Sequence, residues 1–125
     1  MARDRQVISV AIASGQSLSG EVNVNAKRIV GVIMPAAWDA AGIAFRALVA
    51  EPSALPKVPV YGDVVDSAGA AVGLTGAGVA AGAYVTIADT VALIGLGRIL
   101  IRSGTNAVPV NQTANRTIGL VVVDV

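Results

Sequence analysis

No stretch of this chain sustains an apolar stripe at helical spacing for as much as about ten residues. Short runs rich in valine and isoleucine recur instead, about every 10 to 15 residues, each closed by Gly, Pro, Asn, Asp or Ser. Side chains branched at Cβ lose rotamer freedom in a helix and pack well on a pleated surface. The chain carries 21 Val and 10 Ile against 8 Leu, so the pattern and the residue types agree on strands. The expected strands cover residues 7–13, 18–24, 28–34, 43–50, 60–65, 70–74, 83–88, 98–103 and 116–123. Residues 70–74 are expected to close a hairpin, and 91–95 fit either a short strand or a helical turn. In 98–103, Arg98, Leu100 and Arg102 share one face, with Ile99 and Ile101 on the other. Eight or nine short strands at this spacing predict an all-β, single-domain antiparallel β-sandwich over residues 1–125, with 1–6 as an N-terminal arm.

Composition narrows the chemistry. With 54% hydrophobic and 14% charged residues, the chain has the opposite of a disordered composition. It contains no His and no Cys, which removes imidazole bases, thiolate nucleophiles, disulfides and Cys/His zinc sites. A net charge of +1 supplies no general field for nucleic acid or membrane. The nine basic residues are dispersed and almost without aromatic neighbours, unlike a single-strand binding groove. The run after the basic start is interrupted by Ser9 and is shorter than a secretory signal requires. Residues 67–88 are uncharged and long enough to span a bilayer, and they contain two G-x-x-x-G spacings. Their bulk is Ala and Gly, however, and acids stand at both flanks (Asp66 and Asp89), so they read as strand and loop.

The candidate reactive patterns are weak. Asp63 and Asp66 are a carboxylate pair only by spacing, and a polar turn explains them. They lack the alternating oxygen ligands of a calcium loop. Residues 73–78 look like a phosphate-binding loop but lack its Lys-Ser/Thr ending. No catalysis, cofactor, metal or small-molecule substrate is expected. Trp38, the single tryptophan, follows Pro35 and is either a plug over one end of the core or an anchor at an interface. Arg102 and Arg116 flank a polar loop containing Asn111, Gln112, Thr113 and Asn115, which serves either to brace itself or to bind a partner.

The motifs Ser17-Leu18-Ser19-Gly20, Arg28-Ile29-Val30-Gly31-Val32-Ile33-Met34-Pro35-Ala36-Ala37-Trp38 and Ile43-Ala44-Phe45 resemble a group of small tailed-phage proteins. So does the ending Leu100-Ile101-Arg102-Ser103-Gly104-Thr105 followed by Pro109-Val110-Asn111-Gln112-Thr113-Ala114-Asn115-Arg116-Thr117-Ile118. The resemblance covers both ends of the chain. The middle, 51–97, departs from it in its three prolines and its Ala/Gly tract. It implies a virion structural component of the capsid cement or decoration type, with a jelly-roll-like sandwich. The implied place is the phage head surface, after synthesis in the host cytoplasm. The implied partner is the major capsid protein, with self-association as a trimer or dimer. A tail- or fibre-associated module for host-surface attachment is the alternative. Candidate contacts are Arg3 and Arg5 in the arm, Pro52, Pro56 and Pro59 in the proline-rich segment, and Trp38, Arg102, Asn111, Gln112 and Arg116. The Ala/Gly segment 68–82 is a further candidate contact loop.

Overall fold

A computed structural model of the chain describes residues 5–50, 60–65, 68, 70, 72–74, 81–87 and 97–124. Arg3, Pro52, Pro56, Pro59, Asp66 and the 91–95 segment, on which expectations fell, lie outside the described residues, as does most of the 68–82 tract. The described elements are all strands: β1 (Gln6–Ile12), β2 (Val22–Asn23), β3 (Lys27–Ile33), β4 (Ile43–Ala50), β5 (Val60–Asp63), β6 (Gly73–Leu74), β7 (Tyr84–Thr86), β8 (Arg98–Ser103) and β9 (Arg116–Asp124). They form two antiparallel sheets. One has the order β1-β9-β3-β7; the other has the order β2-β8-β4-β5, with β6 also on β4. The expected all-β sandwich is the observed fold.

Alternation along each strand builds the core. Ile99 and Ile101 of β8 point inward with Ile43 and Phe45 of β4, and meet Val10 and Ile12 of β1, Ile118, Leu120 and Val122 of β9, and Ile29 and Val32 of β3. Phe45 is the only aromatic in this buried set, which is otherwise mainly β-branched. In β3 the inward residues Ile29 and Val32 are three apart because a bulge shifts the register between Ile29 and Gly31. The extra residue restores the apolar side chains to the core after the shift.

Two expected elements differ in detail. Residues 18–24 give only a two-residue strand. Ser19 Oγ accepts the backbone N–H of Ile101 at 2.9 Å, while the Ser19 N–H donates to Ile101 O at 2.9 Å. A side-chain hydroxyl thus takes a ladder position and interrupts the strand. In the 70–74 segment the Val72 N–H donates to Val64 O at 3.2 Å, while Gly73 and Leu74 pair with β4. β5 and β6 lie along the same edge of β4, with β6 on Ile43 and Ala44 and β5 on Arg46 to Ala50. Gly73 permits this, since a Cβ there would collide with the carbonyl of Ile43.

Candidate functional site

The sequence directs attention to one end of the sandwich. There the inward row of β8 terminates in Ser103 and that of β9 begins with Arg116. Both polar side chains therefore turn under the end of the core. The fully buried Gln112 bridges them: its Nε2 donates to Ser103 Oγ at 2.7 Å and to Asp39 O at 3.2 Å. Its Oε1 accepts the Asp39 N–H at 2.9 Å and Arg116 Nε–H at 3.2 Å. Both donors and both acceptor positions of the amide are thus engaged. Its backbone joins a third loop, with Gly15 N–H donating to Gln112 O and Gln112 N–H donating to Gln16 O.

Asp39 completes the cluster. It accepts the Thr113 N–H at 2.9 Å, the Thr113 hydroxyl at 3.1 Å and Arg116 Nη2–H at 2.8 Å. The Thr113 hydroxyl is the largest cause holding its carboxyl below the usual range. The Thr113 amide and the Arg116 guanidinium add to that effect, against a partial opposing effect of burial. The cluster therefore presents an ionised carboxylate whose oxygens are engaged by Thr113 and Arg116. Trp38 packs against the core beside it, and its Nε1–H donates to Ala41 O at 3.1 Å. This end is a brace that ties three loops together. Among the described residues there is no group of three acids that could hold a metal ion.

Arg102 lies elsewhere, on the outer face of the β2-β8-β4-β5 sheet. Its guanidinium donates to Asn106 O at 2.9 Å and stands 3.7 Å from Asp63. Arg46 is 3.3 Å from the same carboxylate, and Arg98 is 3.4 Å from Glu21, which also accepts the Tyr61 hydroxyl. That face is laced by its own charges. Asn111 is exposed beside the brace.

The opposite outer face, on β1-β9-β3-β7, is built from residues the sequence reading passed over. Val7 (57% exposed), Ile33 (38%) and Tyr84 (43%) stand on a floor of glycine. A Cβ on Gly119 would lie 3.1 Å from both Val7 Cγ1 and Ile33 Cβ. One on Gly31 would lie 2.8 Å from the Tyr84 hydroxyl, so the tyrosine lies across this bare backbone. Val121, registered between Val7 and Gly31, points outward yet is only 2% exposed. Arg5 donates to the Tyr84 hydroxyl at 3.3 Å. Arg28 sits at the other end, opposite Val123. Neither arginine is paired with a carboxylate among the described residues. The face is therefore apolar at its centre and cationic at its rim. The available signal was that β1, β3 and β9 are apolar at both odd and even positions, whereas β8 alternates. Of the sequence-predicted residues, Trp38, Gln112 and Arg116 come together in the brace, while Arg5 alone borders this face. No family model, curated protein or solved structure matches the chain.

Proposed function

We propose that this chain is a non-catalytic structural protein of a tailed-phage virion, which binds the assembled capsid shell and cements it. The observation that carries the binding role is the exposed apolar face of Val7, Ile33 and Tyr84, rimmed by Arg5 and Arg28. Contiguous exposed apolar surface with a polar rim marks protein–protein contact. Its partner is a shell protein presenting an apolar patch with acids at its margin; no cofactor, nucleic acid, membrane or small-molecule substrate enters this reading. A protein that binds the assembled shell but not its separated parts stabilises the shell by mass action.

The strand order supports a jelly-roll reading of the sandwich. The pairs β1/β9 and β3/β7 in one sheet, and β2/β8 and β4/β5 in the other, are those made by curling one long hairpin into two sheets. That architecture is common to many shell-forming proteins. The motif resemblance at both ends of the chain points the same way.

Quantitative mass spectrometry of purified virions tests this. A ratio near one copy per capsid subunit is expected. A few copies per particle contradicts it in favour of a tail module, and absence from the particle overturns both.

A further inference from the structure

β1 is an edge strand. Gln6 to Ile12 pair with β9 on one side, and only Ile12 has a bridge on the other, to Ser19. From Gln6 to Ala11 no described residue pairs with the outer edge. Natural proteins blunt such edges with charge, proline, a bulge or brevity. Here residues 6–13 contain neither charge nor proline, and the β1–β9 register is unbroken. The other described edges are managed: β2 has two residues, β7 has three, and β5 carries Asp63 paired with Arg46.

We propose that β1 pairs with β1 of a second copy, antiparallel about a two-fold axis at Ser9, joining two four-stranded sheets into one of eight strands. A two-fold contact requires a surface complementary to itself, and an antiparallel strand pair has that property. The molecule offers no second long uncharged edge among the described residues, so a pairing built from its own edges uses β1 twice. Centring on Ser9 sets Val7 opposite the partner's Ala11 and Ile8 opposite the partner's Val10. Inward residues then meet inward residues, and the two cores run on across the joint. Arg5 of each copy falls at an opposite end of the pair, so no like charges meet. Stacking two copies through the Val7–Ile33–Tyr84 faces would instead bring the Arg5 and Arg28 rims together. Edge pairing leaves those faces free and sets two of them on one side of a single sheet, where their binding adds by avidity. The proposal concerns self-association alone and stands whether or not the bound shell is a capsid.

Sedimentation equilibrium of the full chain across a dilution series tests it. Twice the chain mass is expected; a monomer or a trimer overturns it. Ser9 is exposed, so Ser9→Lys leaves the folded monomer undisturbed but places two like charges across the axis. This variant is expected to sediment as a monomer with an unchanged circular dichroism spectrum. Mixing it with Ser9→Asp is expected to restore a dimer holding one copy of each. A Ser9→Lys dimer contradicts the proposal. Should that variant misfold, Ser9→Cys decides, because the chain has no other cysteine. It is expected to oxidise to a disulfide dimer, since facing cross-strand positions fall within disulfide range. Thr117→Cys, one strand in from the edge and exposed, is expected to remain reduced. Equal cross-linking at both positions overturns the proposal.

Discussion

The brace around Gln112 and the outer face of Val7, Ile33 and Tyr84 hold opposite kinds of residue and use them in opposite directions. The brace gathers Asp39, Ser103, Gln112, Thr113 and Arg116, the chemistry that ordinarily marks a binding site. Its hydrogen bonds are made within the chain, between three loops. The outer face gathers valine, isoleucine and glycine, the chemistry of a core, and leaves it open. A buried polar group must be satisfied and so is costly to spare for a partner, while an apolar face gains most when something covers it. On the proposed reading, the polar cluster serves internal architecture and the exposed apolar face serves contact.

The brace and the face are separable by substitution. Gln112→Ala has the largest expected effect. It strands the Asp39 N–H, Arg116 Nε–H and Ser103 hydroxyl in a buried site, at a cost of about 3 kcal/mol or more. A thermal melt should show the midpoint lowered by about 10 °C or more. Ile33→Lys reverses the pattern. Its midpoint should stay within a few degrees, because the side chain is exposed. Its affinity for the shell should fall by about 30-fold, the loss of a central contact of about 2 kcal/mol. A variant of the brace that binds less per folded molecule, or an Ile33→Lys protein that binds normally, breaks the comparison.

Smaller effects sharpen it. Gly31→Ala forces the Tyr84 ring off the floor of the face and should cost about 1–2 kcal/mol in denaturant unfolding. Asp63→Asn removes the shared partner of Arg46 and Arg102 on the other outer face. Those groups are partly exposed, so about 0.5–1 kcal/mol is expected, shrinking as salt is added. Shell binding should be unchanged. The smallest effect is one of pH. Asp39 titrates lower in the folded protein than in the unfolded chain, so its contribution is fully present above the ordinary carboxylate range. It is lost as pH falls through the folded value. Melts between pH 6 and pH 3 should therefore fall less steeply for Asp39→Asn than for the natural chain.

How much of this was legible in the sequence depends on how local the cause is. The alternation of Arg98, Leu100 and Arg102 against Ile99 and Ile101 is a property of six adjacent residues, and β8 follows it. The interruption at Ser19 was not legible, because it depends on a hydroxyl meeting the Ile101 N–H 82 positions away. The same holds for Gln112. Its polar loop was evident, but its burial against Asp39, Ser103 and Arg116 is set by which strand ends converge. The outer face was hidden for a different reason. Val7 and Ile33 lie in strands apolar at both parities, so hydropathy alone does not say which side is covered. Only the pairing of β1, β9 and β3 turns Val7 and Ile33 toward one another over Gly119.

The most direct measurement is the occupancy of purified capsid shells by the natural chain, by Ile33→Lys and by Asp63→Asn, each shown to be folded. The account predicts that the natural chain and Asp63→Asn saturate the shell while Ile33→Lys does not. Equal occupancy by all three, or loss confined to Asp63→Asn, would contradict it.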